Sequence, residues 1–233
     1  MKKISIVFLF ILLYSDAKTQ TVILNVDRTT EQRIPDKGPN LKKFTHVFIR
    51  AGILASKDEP GARIIYGPSV NLALGVRKKY KVSPVYSLGY EIAIEYIDYK
   101  LKQEKGKLIP DTVINNKSGR LDYSFLSLGF YNRFNFDPAR GNYIGNFLDI
   151  GINGSWDYSI KSISKNKHSD GTVVKAITHN LPYTYNINAG LFARLGLSHG
   201  AIYCSYRLGK LFRDSYHLPD LPRIIVGLEL GIF

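Results

Sequence analysis

The chain has 233 residues, a formal charge of +13 and a single cysteine, Cys204. One cysteine excludes an internal disulfide, and its distance from the N-terminus excludes a lipoprotein anchor. So basic a chain invites a nucleic-acid partner. Its lysines, however, gather between the ordered-looking segments, at Lys100, Lys102, Lys105, Lys107 and Lys117, then at Lys161, Lys165, Lys167 and Lys175. Phosphate of outer-membrane lipid or lipopolysaccharide, or a surface glycan, fits that placement better, and no nucleic acid is expected.

Met1-Lys2-Lys3 followed by the apolar residues 4–14 has the form of a signal peptide, read as residues 1–19 and cut before Gln20. The apolar run is too short for a membrane helix, which needs ~20 residues. Losing Lys2, Lys3, Lys18 and Asp16 leaves 29 basic against 18 acidic residues, a charge of +11. Residues 20–43 are polar, with Pro35, Gly38 and Pro39, and read as a periplasmic N-terminal segment. Beyond them no stretch is long and apolar enough for a helical span. Any membrane crossing must therefore use strands, and these must close, because lipid offers no partner to an open edge.

Eight segments of residues 44–233 alternate apolar with polar or tiny side chains, the period of a strand. They are 44–55, 69–77, 85–99, 123–134, 143–158, 183–195, 201–210 and 223–233. The second sets Val70, Leu72, Leu74 and Val76 against Ser69, Asn71, Ala73, Gly75 and Arg77. The seventh places Cys204 among Ile202, Tyr206 and Leu208, on the apolar face. The connections alternate in length. Residues 56–68, 100–122, 159–182 and 211–222 are long, whereas 78–84, 135–142 and 196–200 are short, as expected for outer loops and periplasmic turns.

A soluble lipocalin-like barrel shares this alternation with its faces reversed. Glycines on the polar face, and Tyr86, Tyr96, Tyr143, Trp156, Tyr158, Tyr183 and Tyr206 near strand ends, favour the membrane form with aromatic girdles. The expected fold is all-β: an eight-stranded antiparallel transmembrane β-barrel, an up-and-down meander.

The leader, the alternating strands and the closing Leu221-Pro222-Arg223-Ile224-Ile225-Val226-Gly227-Leu228-Glu229-Leu230-Gly231-Ile232-Phe233 resemble the small outer-membrane β-barrels of Bacteroidota, the PorT-like group. The resemblance covers the mature chain and implies an outer-membrane location in a Gram-negative cell. It also implies Phe233 as the signal read by the barrel-assembly machinery, although Phe233 shares parity with Gly231 and Glu229 rather than with the apolar face. Members include secretion accessories, so an envelope or secretion-system partner is a further expectation.

By parity the interior gathers Arg50, Arg77, Arg133, Arg194 and Arg207 with the acids Glu91, Glu95, Asp149, Asp157 and Glu229. An eight-stranded lumen is narrow enough for side chains to fill, so these charges must pair, with Glu91 or Glu95 on an interior arginine. A structural or accessory role through the outer loops is expected, with a narrow channel as the alternative. No catalytic, cofactor or metal site is expected. His46 points inward, and His168, His179, His199 and His217 fall in connections, so no histidine occupies the lipid face as a lipid A deacylase would need. Asp214, His217 and Asp220 read as a solvated loop cluster. Asp111-Thr112-Val113 resembles an O-glycosylation site of Bacteroidota.

Overall fold

The computed structural model describes residues 36–56, 59–109, 116–167 and 172–232. The signal-peptide reading, Phe233, His168 and the Asp111-Thr112-Val113 motif lie outside these residues. The strands are β1 (Lys43–Leu54), β2 (Val70–Lys81), β3 (Tyr86–Leu101), β4 (Asn116–Asn135), β5 (Asn146–Lys167), β6 (Val173–His179), β7 (Ile187–Leu197), β8 (Gly200–Arg207) and β9 (Ile224–Ile232). Every neighbouring pair is antiparallel, and β1 pairs with both β2 and β9. Strand β5 pairs with β4 on one side and with β7 on the other. Eight strands thus form a closed ring, with β6 attached to the upper part of β5.

Closure follows from the pattern. Strand β1 reads exposed and buried at alternate residues from end to end, and β2 and β7 do nearly the same. Val47, Ile49, Leu72, Leu74, Ile92, Ile94, Leu126, Leu128, Ile150, Ile152, Leu228 and Leu230 all point out of the ring and are exposed. So continuous an apolar belt far exceeds the few hundred Å² that a soluble monomer normally shows, and a hydrocarbon surround removes its cost. Cys204 is exposed on the same belt. Among the described residues no helix is long and apolar enough to cross a membrane. Among the described residues the sole helical turn is a 3-10 turn at Asp214–Tyr216.

Strands β4 and β5 run well past the segments expected for them. With β6 they form a three-stranded wall rising above the belt on the side of the long connections. A register shift at Ser124/Phe125 lets β5 continue past Tyr158, with Ile160 turned into the lumen and Lys161 outward. The connection expected at 159–182 is therefore mostly strand, and His179 lies in β6. Residues 183–186, expected as wall, leave it: Thr184 is buried and bridges Phe212, and Tyr183 packs on Phe212 and Tyr216 rather than in a girdle. The departure is physical, because Pro182 interrupts the strand just before them and the ladder resumes only at Ile187.

The lumen is filled in three layers. At the short-turn end Phe44, Ile144 and Phe147 cluster. Beneath them Asn40 donates to the Arg140 carbonyl at 2.7 Å, and Lys81 donates to the Asn40 carbonyl at 3.0 Å. The middle layer holds charge and aromatic rings. At the outer end Leu54, Ile64, Tyr99, Leu121, Tyr123, Leu211, Phe212 and Leu221 make an apolar plug, drawn from strand tops and folded connections.

Candidate functional site: the charged lumen and the outer wall

Four arginines and four carboxylates meet at mid-barrel, so the layer is formally neutral. Arg77 donates from Nη1 and Nη2 to Glu229 at 2.7 and 2.9 Å, and from Nε to Glu91 at 2.8 Å. Arg194 reaches Glu91 at 2.5 Å and Asp149 at 3.1 Å. Arg133 grips Asp149 in a two-pronged contact at 2.7 and 2.9 Å. Arg50 lies 3.2 Å from Glu229, 3.3 Å from Glu91 and 3.5 Å from Glu95. Arg50 meets Glu95 at that long distance, and Glu95 also accepts from Asn71 Nδ2 at 3.4 Å and from the Ser127 side chain. All eight side chains are buried. Planar, always-charged guanidinium is suited to sharing several carboxylates at once.

Flat rings complete the desolvated arginines. The Arg133 guanidinium carbon stands 3.5 Å from the Phe147 ring centre and that of Arg50 stands 3.6 Å from Tyr203. Arg77 lies 4.3 Å from Phe48 and Arg194 lies 4.8 Å from Phe192. A guanidinium over an aromatic face gains electrostatic attraction that grows as water is excluded. Room for the rings comes from glycine: four of the inward aromatics face one directly across the ladder. The pairs are Phe48 with Gly75, Tyr131 with Gly89, Phe192 with Gly151 and Phe147 with Gly196. In all four, a Cβ on the glycine would overlap the ring.

Arg207 stands apart from this network. It is the last residue of β8, four residues above Tyr203, about 13 Å along an extended strand and out of reach of the mid-barrel carboxylates. It binds Asp220 instead, through Nη1 at 3.2 Å and Nη2 at 3.3 Å. Asp220 also accepts from Arg223 Nε at 2.9 Å and from the Leu211 amide at 3.1 Å. It therefore latches the last outer connection onto the barrel rim. Asp214 is taken by Lys210 at 2.6 Å, which holds that ammonium above the usual lysine range. Asp214 and Asp220 thus serve separate contacts, while the His217 amide donates to the Asp214 carbonyl at 3.1 Å. Asp157 is buried near the same rim and makes no ion pair among the described residues. Asp220→Ala is expected to cost about 3–5 kcal/mol, the scale for stripping one partner from a buried ion pair. Limited proteolysis should then cut the 208–223 connection while the barrel core stays intact.

Between the charged layer and the plug lies a void of about 60 Å³, lined among others by Glu95, Asn153, Asn188 and Tyr203. It has room for a few waters, and Tyr206, Pro222 and Arg223 line it on the rim side.

The outer wall carries the other concentration of charge. A cleft of about 510 Å³ is lined by Lys100, Arg120, Lys165 and Lys175 together with Gln103, Ser118 and Ile163. The ladder sets Lys100 opposite Arg120 and Lys165 opposite Lys175. Arg120 is shared with Asp98 at 3.6 Å and Asp122 at 3.4 Å. Among the described residues, no group of three or more His, Cys, Asp or Glu converges in a way that would hold a metal ion.

No protein-family model matches this chain, and no curated protein matches it. Solved structures of Ail, the attachment invasion locus protein of Yersinia pestis, are similar in fold. One, in complex with the heparin analogue sucrose octasulfate, is 10% identical, with a TM-score of 0.34 over 81% of this chain and 94% of that one. Another is 11% identical, with a TM-score of 0.33 over 82% and 95%. Identity this low leaves function to be argued from the chain itself.

Proposed function

We propose that this chain is a sealed outer-membrane barrel that works as an anchored binding platform, presenting the β4–β5–β6 wall and the folded outer connections to the cell exterior. The observation that supports this most is the division of labour along the molecule. The middle is an apolar belt around a filled lumen, whereas the outer third is polar, strand-built and basic. A filled lumen favours a structural or accessory role over conduction, and the proposed chemistry is non-covalent and cofactor-free. The leader, the closing strand and the PorT-like resemblance support a Bacteroidota envelope setting, with a secretion or surface component as the partner.

Cell fractionation followed by electrophoresis with and without boiling tests the platform. The protein should pellet with the outer membrane and change mobility on heating, as a closed barrel does. Reconstituted in planar bilayers, it should show no steady conductance. A soluble periplasmic protein, or a persistent open channel, would overturn the reading.

A further inference from the structure

We propose that the Lys100–Arg120–Lys165–Lys175 cleft binds the phosphate of an outer-leaflet glycolipid, a proposal that rests on the membrane-barrel reading. Three observations carry it. First, Lys165 and Lys175 are direct cross-strand neighbours. Like charges so placed repel each other, and among the described residues neither they nor Lys100 and Lys161 have a carboxylate within salt-bridge distance. Lys165 and Lys175 thus face each other without an ion-paired carboxylate among the described residues, and the carboxylates nearest the cleft, Asp98 and Asp122, are engaged with Arg120. Second, Asp98 and Asp122 hold Arg120 from one side only, which fixes the guanidinium beside the lysines. Third, the cleft continues a lipid-facing surface. Down β3, Lys100 and Tyr96 share the outward face with Ile94 and Ile92, and down β5 the outward Lys161 lies above Tyr158 and Trp156. An acyl chain lying along that face would bring its sugar phosphate to the level of the cations.

A free anion in solution would satisfy the cations but not the continuity of the two surfaces, so the proposal commits to a lipid-borne phosphate. Basic side chains next to a membrane attract anionic headgroups, and the attraction weakens with salt.

The test reconstitutes full-length protein in phosphatidylcholine nanodiscs containing a small fraction of diphosphorylated lipid A. Retained lipid A is then counted by native mass spectrometry after detergent transfer. Wild type should keep bound lipid A, and the K100Q/K165Q/K175Q variant should lose it by at least about tenfold, given a several-fold contribution from each lysine. The K100R/K165R/K175R variant should retain it. Heat-dependent mobility of both variants confirms that the barrel has closed, so a misfolded variant is recognised as such. Equal retention by wild type and the glutamine variant would overturn the site. So would equally strong binding of a deacylated, phosphorylated sugar, which would show a free-anion site. Failure of the barrel reading itself would appear separately, as a soluble protein in fractionation.

Discussion

Glu229→Ala is expected to be the most damaging single truncation in the lumen. Glu229 receives Arg77 through two short contacts and Arg50 through two longer ones, with Arg194 at 3.5 Å, so its removal leaves three buried guanidinium groups short of charge. Breaking a buried pair in this way costs about 3–5 kcal/mol. Urea unfolding of the barrel in detergent, followed by tryptophan fluorescence of Trp156, should show a large drop in midpoint. Glu95→Ala should be much milder, because Glu95 meets Arg50 only at 3.5 Å and satisfies no second arginine. Similar losses for both variants would show that the network is not organised around Glu229. Replacing Glu229, Glu95, Arg77 and Arg50 together with apolar residues of similar volume, which keeps the layer neutral, should recover much of the loss, since a buried network can be exchanged for good packing.

The second large effect is steric. Gly196→Leu and Gly89→Val should each prevent the barrel from closing, with the heat-modifiable band lost from the membrane fraction. Gly196 lies under the Phe147 ring and Gly89 under the Tyr131 ring, and any Cβ would meet ring carbons. Tyr131 is further held by its hydroxyl donating to the Lys78 carbonyl at 3.2 Å, and Phe147 by Arg133 above it, so neither ring can swing aside. Overpacking a core commonly costs about 1–3 kcal/mol. Here the added carbon would sit within about 2.1–2.3 Å of a ring that cannot move, and the displaced ring also uncovers an arginine, which puts the cost above that range. The double variant Gly196→Leu with Phe147→Ala should restore closure, whereas Phe147→Ala alone should fold with a cavity.

The wall of the barrel is legible in the sequence because lipid imposes a strict period of two. Wherever a strand crosses the belt, as at Leu72, Leu74 and Val76, one face is apolar and the other small or polar. Outside the belt that constraint lapses. Strand β6, Val173 to His179, is exposed at every residue, and adjacent valines spoil its alternation, so nothing in the local pattern separates it from a loop. The upper halves of β4 and β5 are hidden for the same reason. In the lumen, parity identifies Arg50, Arg77, Arg133, Arg194, Glu91, Glu95, Asp149 and Glu229 as inward residues. Which carboxylate meets which arginine depends on height along the barrel, hence on register, which is why Arg207 separates from the rest. The aromatic–glycine pairs are equally register-bound. Each ring and its glycine lie 27–49 residues apart in sequence, so their meaning emerges only when the strands are aligned.

Arg50 and Glu229 are direct ladder partners across the β1–β9 junction, 179 residues apart in the chain. The first strand to be made and the last therefore carry opposite halves of one electrostatic lock. Until the ends of the sheet meet, Arg50 and Arg77 lack their principal counter-charge, and a seam shifted by one residue would turn Glu229 toward lipid. Joining the seam therefore brings Glu229 to both arginines at once. A half-built barrel has little reason to persist, and a correctly joined one has little reason to reopen.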